Sequence, residues 1–323
     1  MENGGNDGAV REIRKRSNEP NERMAQKTMI TQTFHMANIQ NILTKTETGE
    51  RGMFLRKIDK MGFLRDQCKG EEPLFLAYSE TCLKKVILEA EFSIDGYTSV
   101  ASHRVNRDGG GVIIYIKKDV SYKILSTVSD EMCSMVAVHL TDLNLIVFMV
   151  YRPPPSYKSK YQGEVLEKSF KNIVINNIYS EINKHRAPTP DIILAGDFNF
   201  PKAHWSAGIG TLKSDCLCNK NSLQELLNVA SHYNLLQIVT EGTRNTLKGD
   251  SNILDLIFTN NHNLITNVQV QSSEITDHKY IVCETTHKLP TKEKELTPVN
   301  EVSLSSYNYE TADWDNIKAS LKK

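Results

Sequence analysis

Apolar and polar positions along this chain change places in short runs. Phe34, Met36 and Asn38 fall on one side of a period-two pattern that begins near Thr33, as on a half-buried strand. Strand-like runs follow at Leu74–Tyr78, Gly111–Lys117, Met135–Leu140 and Asn144–Tyr151. Pro153-Pro154-Pro155 must end the last of these, because proline has no N–H to give a ladder. Residues 51–61 carry Phe54, Leu55, Ile58 and Met61 at helical spacing. The clearest helix lies over residues 160–184, where Leu166, Phe170, Ile173, Val174, Ile178 and Ile182 make one apolar stripe. A second helix is predicted over Ser222–Tyr233. Asp191–Ala195 reads as a buried strand running into Gly196, with further strands at Leu235–Thr240, Ile253–Asn260, Ile265–Gln271 and Tyr280–Glu284. Many short strands around two good helices, without strict βαβ alternation, predict two packed sheets flanked by helices in one α/β sandwich.

Composition adjusts this picture at the edges. The 323 residues carry 39 basic and 39 acidic side chains, without the basic excess a general nucleic-acid coat would need, so any such contact is expected through a local patch. Arg104, Arg107, Lys117 and Lys118 are candidates either for gripping a phosphate backbone or for a solvated rim. The longest apolar run, Leu145–Tyr151, is strand-sized, and no membrane partner is expected. Residues 1–30 are too polar for a secretory signal and read as a disordered leader, with Arg14-Lys15-Arg16 as part of a solvated tail. One domain is expected over residues 31–287, followed by a polar tail at 288–323. Six cysteines without a scaffold rhythm imply reduced thiols in an intracellular compartment.

Several familiar sites drop out. Gly109-Gly110-Gly111 lacks the lysine of a phosphate loop and precedes a strand, so it reads as a turn. Cys216-x-Cys218 has no second pair at zinc-finger spacing. What remains is acidic. A strand runs through Gly196 into Asp197-Phe198-Asn199, and period two points the acid and the amide the same way while Phe198 faces the core. Asp255 sits inside the apolar run Leu254–Phe258, where a buried carboxylate needs a partner, and His278 of Thr276-Asp277-His278 is the candidate. Glu80 directly follows the apolar run that ends at Tyr78.

This set resembles the endonuclease/exonuclease/phosphatase superfamily, and more narrowly the endonuclease domain of non-LTR (LINE-type) retrotransposons. The resemblance is carried by Asn38-Ile39-Gln40-Asn41, Ser79-Glu80-Thr81, the Gly109–Val112 strand entry and Val150-Tyr151-Arg152-Pro153-Pro154. It continues through Gly196-Asp197-Phe198-Asn199 with Pro201 and Trp205, Leu254-Asp255-Leu256-Ile257, and Thr276-Asp277-His278. It implies a four-layer α/β/β/α, DNase I-like fold and a Mg²⁺-dependent endonuclease (Mn²⁺ substituting) that nicks double-stranded DNA. Glu80 would be the main metal ligand, helped by Asn38 or its neighbour Asn41. Asp197 would activate the attacking water and Asn199 would hold it or the phosphate, with Tyr151 near the scissile group. His278, held by Asp255, would donate to a phosphate oxygen, and Asp277 would complete the metal or leaving-group side. Such domains continue into a reverse transcriptase, so that partner would come from another chain or be lost, residues 288–323 being a truncated connector toward it. The substrate implies a nuclear protein. The alternatives are a phosphoesterase of the same superfamily acting on a lipid, inositol or nucleotide phosphate, and a catalytically inactive binding module. Target choice is expected to rest on the loops at 203–221 and 241–251.

Overall fold

A computed structural model describes residues 32–39, 45–48, 56–103, 110–155, 160–185, 188–206, 209–212, 220–245 and 252–286. The leader, the tail, Arg104, Arg107, Asn41, Cys216, Cys218 and much of the two expected target loops lie outside these residues.

The chain opens with β1 (Gln32–Asn38), a hairpin of β2 (Lys45–Thr48) and β3 (Arg56–Asp59), and α1 (Lys60–Glu71). The helix expected over residues 51–61 is corrected where it is described: Arg56–Asp59 is strand, and residues 51–55 lie outside the described residues. Asp59 is the N-cap, its carboxylate accepting the Gly62 N–H at 3.2 Å, and the helix begins only after it. Next come β4 (Phe75–Ser79), α2 (Glu89–Phe92), β5 (Tyr97–Ser102), β6 (Val112–Lys117), β7 (Tyr122–Ser129), β8 (Ser134–Leu140) and β9 (Leu145–Tyr151). The long helix is α3 (Lys160–Ser169), a π-helical stretch over Phe170–Ile175, and α4 (Asn176–Lys184). Its buried stripe explains the interruption. Leu166, Phe170, Val174, Ile178 and Ile182 are all buried and recur every fourth residue, which on a regular α-helix drifts about 40° per step. The wider π turn takes up that drift and keeps the stripe against the sheet. The remainder is β10 (Asp191–Asp197), a hairpin of β11 (Ala203–Ser206) and β12 (Ile209–Leu212), α5 (Lys220–His232), β13 (Leu236–Gln237), β14 (Asp255–Thr259), β15 (Ile265–Gln271) and β16 (Tyr280–Thr285). The strand expected at Leu235–Thr240 is only two residues long.

Two six-stranded mixed sheets result, in the orders β15-β16-β1-β4-β6-β5 and β13-β14-β10-β9-β8-β7. Strand parity sorts the side chains into three cores. Phe34, Met36, Phe75, Ala77, Ile114, Val147, Met149, Ile193, Ala195 and Ile257 meet between the sheets. Phe148, Leu194 and Phe258 turn the other way, onto Phe170, Val174, Leu226 and Val229 of the helices. Leu76, Tyr78, Ile113 and Tyr115 back the first sheet against Met61, Leu64 and Cys68 of α1. The architecture is the expected α/β/β/α sandwich.

Candidate active site

The parity that builds the inter-sheet core also builds the site. Tyr151 continues the Val147, Met149 series of β9, Asp197 the Ile193, Ala195 series of β10, and Asp255 the parity of Ile257 in β14. Asp197 is paired in register with Tyr151 on one side and Asp255 on the other, so three polar groups share one end of the slit between the sheets. Asn38 and Ser79 close the same slit from the first sheet as the last register pair of β1 and β4.

Local backbone is bent to serve this end. Gly196 has φ +153°, and a Cβ there would sit 2.1 Å from the Val150 carbonyl oxygen, so only glycine lets β10 run this close to β9. Glu80, Cys82 and Asn199 adopt φ of 54°, 54° and 48°, and for the glutamate this is a conformation held only by its surroundings. The holders are visible. Thr81 N–H donates to Gly111 O at 3.3 Å and Cys82 N–H to Gly110 O at 2.7 Å, so the glycine turn clamps the segment after Glu80. Gly110 and Gly111 have φ of 81° and 84°, which is what that turn requires of them.

The side chains converge. Tyr151 Oη donates to Glu80 Oε1 at 3.4 Å, joining the two sheets. The Asp197 Oδ1 accepts the Asn199 N–H at 3.1 Å, and Asn199 Nδ2 donates to Arg152 O at 2.8 Å. His278 Nδ1 lies 2.8 Å from Asp255 Oδ2, and both residues are buried. Asp197, Asp255 and His278 bring ligand-type atoms within 4.8 Å of one another. Burial pulls the His278 pKa down, but Asp255, hydrogen-bonded to it, and then Asp197 and Asp277 outweigh that and raise it to about 9. The ring is thus an imidazolium at neutral pH, with Nδ1–H spent on Asp255 and Nε2–H left to donate.

Asp277 is on the same segment but partly exposed, its Oδ2 accepting from Arg244 Nε at 2.8 Å and lying 2.7 Å from Arg244 Nη2. The part of the 241–251 loop that is described stitches the site together. Thr243 Oγ1 accepts the N–H groups of Leu254 and Asp255, each at 3.0 Å, while Lys279 N–H donates to Thr243 O at 2.7 Å. That seam fixes Asp255 relative to His278.

Three contributors were missed by the sequence reading. Arg152 is fully buried and its Nη1 donates to Phe198 O at 3.1 Å and Asn199 O at 3.0 Å, with its guanidinium 4.4 Å from the Phe200 ring centroid. It moulds the Asp197–Asn199 turn; the Tyr-Arg-Pro-Pro run flagged it, but not its role. Thr243 and Arg244 gave no signal. The expected backbone grip at Lys117 and Lys118 is corrected. Val112 of β6 pairs with Ser79 at the site, so Lys117 lies at the opposite end of that strand, beyond Ile116 and its partner Phe75, and it pairs with Glu72 at 2.9 Å.

The oxygen-rich set fits a divalent metal of the Mg²⁺ type, which takes carboxylates and amide oxygens. Among the described residues, buried Asp255 Oδ1 has no hydrogen-bond partner, an oxygen acceptor left open in the slit. The Asp197–Asp255–His278 group is the less suitable cage, since one imidazole nitrogen is already committed to Asp255.

Residues 145–282 match the Endonuclease-reverse transcriptase family. That stretch runs from β9 into β16 and holds Tyr151, Asp197, Asn199, Asp255, Asp277 and His278 but not Glu80. No curated protein is similar enough in sequence to match. Among solved structures, an AP endonuclease from Leishmania major is 13% identical with a TM-score of 0.55, covering 80% of this chain and 88% of that one. An AP endonuclease from Archaeoglobus fulgidus is 15% identical with a TM-score of 0.53, covering 78% and 98%. The endonuclease domain of TRAS1, a telomere-specific non-LTR retrotransposon, is 12% identical with a TM-score of 0.49, covering 79% and 98%. The AP endonuclease matches establish the shared fold, and the resemblance to the endonuclease/exonuclease/phosphatase superfamily holds.

Proposed function

We propose that this chain is a divalent-metal-dependent endonuclease that nicks duplex DNA and leaves a 3′-hydroxyl end. The observation that carries the reading is the convergence of Glu80 and Tyr151 with Asp197, Asn199 and a protonated His278 at one end of the inter-sheet slit. The family match over residues 145–282 supports it, as does a fold shared with AP endonucleases.

The chemistry follows from the groups. A phosphodiester is an anion and would be repelled by this many acids. Glu80, with Asn38 and Asp277, would hold the metal ion, which when bound neutralises that charge and polarises the phosphoryl group. Asp197 then takes the proton of a water held by Asn199, and the water oxygen bonds to phosphorus while the P–O3′ bond breaks. As base, Asp197 must sit about 3 Å from that water. His278 Nε2–H donates to the phosphoryl oxygen whose charge grows in the transition state, a donor worth about 3 to 4 kcal/mol. Asp255 keeps the ring charged and oriented. The 3′ oxygen leaves as an alkoxide that takes a proton from solvent water, giving the 3′-hydroxyl end that a reverse transcriptase, on this chain or another, would extend. That use would place the protein in the nucleus. No described helix is long and apolar enough to cross a membrane.

The test is nicking of supercoiled plasmid by the purified chain with Mg²⁺ or EDTA, beside Asp197→Ala. Metal-dependent open circles that vanish in the variant are expected. A folded chain that ignores plasmid but hydrolyses a small phosphate ester would replace this reading with the phosphoesterase. No hydrolysis at all, with DNA binding that survives Asp197→Ala, would replace it with an inactive binding module.

A further inference from the structure

Lys60, Arg152 and Arg244 each bond a segment that carries a site residue. Lys60, the first residue of α1, is 2% exposed, and its Nζ donates to Ile39 O at 2.8 Å, at the end of β1. Arg152 is 0% exposed and bonded to Phe198 O and Asn199 O. Buried as they are, neither can meet a substrate. Arg244 can, because its side chain is 46% exposed.

The backbone sets Arg244 directly opposite His278. The two form an isolated antiparallel bridge, flanked by Lys279 N–H to Thr243 O at 2.7 Å and Asn245 N–H to Asp277 O at 2.8 Å. With the hydrogen bonds on the flanking residues, Arg244 and His278 are a pair of the non-hydrogen-bonded kind. In such a pair the Cα atoms are about 4.5 Å apart and both side chains leave from the same face. His278 goes inward to Asp255. Arg244 lies on Asp277, whose Oδ2 accepts from Nε at 2.8 Å and is 2.7 Å from Nη2. An exposed ion pair of this kind contributes little to stability. The loop does not need it either, since Thr243 Oγ1 already accepts the N–H groups of Leu254 and Asp255. A guanidinium carries five N–H donors in a rigid fork, more than one carboxylate oxygen can take, and that fork matches the oxygens of a phosphate.

We propose that Arg244 is a substrate-binding residue whose guanidinium, oriented by Asp277, grips a non-bridging oxygen of the same phosphodiester that His278 addresses. The proposal rests on the nuclease reading above and adds to it a second cationic donor. Charge grows on the non-bridging oxygens as the attacking oxygen bonds to phosphorus, so a donor held in place beforehand is worth most at that moment. Asp277 does for the guanidinium what Asp255 does for the imidazole: each carboxylate holds one edge of a cation and fixes its direction.

The experiment compares the full chain with Arg244→Met and Arg244→Lys in two assays. Plasmid nicking with Mg²⁺ gives kcat/KM, and duplex binding in EDTA over a series of NaCl concentrations gives the slope of log affinity against log salt. That slope counts phosphate contacts made by cations, so a merely structural arginine would not move it. Arg244→Met should lower kcat/KM about 100-fold and make the slope shallower by about 0.9, with the fold intact by urea unfolding. Arg244→Lys should keep the native slope, because the charge is retained, and nick more slowly than the native chain, because an ammonium lacks the fork. A folded Arg244→Met with native nicking and native slope overturns the proposal. Slower nicking with an unchanged slope also overturns it, since the arginine would then only hold the segment of His278. Should Arg244→Met not fold, Arg244→Gln, which keeps a donor for Asp277 without the charge, takes its place under the same criteria. A native chain that neither nicks nor binds DNA removes the nuclease reading itself, whereas native nicking that is indifferent to Arg244→Met removes the arginine proposal alone.

Discussion

His278 makes the stability of this fold fall as pH rises, by an amount the structure allows one to work out. Its pKa is raised from the ordinary 6.5 to about 9 because Asp255, and behind it Asp197 and Asp277, outweigh the opposing effect of burial. A group whose folded value lies above its unfolded value contributes fully below the unfolded value and loses that contribution as pH rises through the folded one. The whole shift corresponds to about 3 kcal/mol. Between pH 7 and 8.5, well inside the window, the linkage relation gives a loss of about 1.7 kcal/mol.

The measurement is urea unfolding of the metal-free chain at both pH values, repeated on His278→Gln. Taking the difference between the two proteins cancels every other group. That matters because His35, His103 and His139 are pushed down by burial and lose stability on the acid side, while Cys68 and Cys283 are pushed up and lose it on the alkaline side. The native chain should lose more than the variant by about 1.7 kcal/mol over that interval. Parallel curves, or a native chain that gains stability, would show that the imidazole is neutral in the fold. The assignment of His278 as a charged donor would then be withdrawn.

Arg152→Ala should destabilise the chain by about 3 to 5 kcal/mol in the same unfolding assay, since it orphans two buried carbonyls and empties the space beside Phe200; a loss under about 1 kcal/mol would mean the turn holds itself. Gly196→Ala forces a Cβ into the Val150 carbonyl and should cost more than about 4 kcal/mol or leave no soluble chain, and wild-type urea behaviour would refute the close approach of β9 and β10. Tyr151→Phe removes the hydroxyl on Glu80 Oε1 and should lower plasmid nicking about 100-fold with the fold intact, so undiminished nicking would exclude the tyrosine from the chemistry.

How much of this was legible in the sequence depended on what kind of regularity each part obeys. The inter-sheet core is period two, and strands such as Leu145–Tyr151 or Asp191–Asp197 announce themselves by composition as well as alternation. β7 was not legible. It is an edge strand with only partly buried and exposed positions, and an edge has little apolar pattern to display. β5, an edge of the other sheet, was missed for a different reason: its buried positions Tyr97, Val100 and Ser102 do not alternate. The start of α1 was misplaced because Ile58 and Met61 continue a helical spacing, while the decisive signal was a single cap, Asp59.

For the site the same distinction separates two kinds of residue. Asp197 and Asp255 are anomalies in a pattern, acids within or at the end of apolar strands, and it is the strand register that brings them together. His278 lies just outside its strand but was reached as the partner that buried Asp255 needs, whereas the placement of Glu80 and Tyr151 beside them needed the resemblance. Lys60, Thr243 and Arg244 violate no local pattern, because a lysine at a helix start and a threonine in a loop are what water would accept. Their meaning exists only in three dimensions, where Lys60 is closed over by β1 and β4 and Thr243 reaches the N–H groups of Leu254 and Asp255. It follows that pattern-breaking finds the groups a site spends on substrate, while the groups that set its charge and register are to be sought among residues whose burial contradicts their type. Arg152 and Lys60 are the two largest such contradictions among the described residues, and each hydrogen-bonds the strand end or turn that carries a residue of the proposed site.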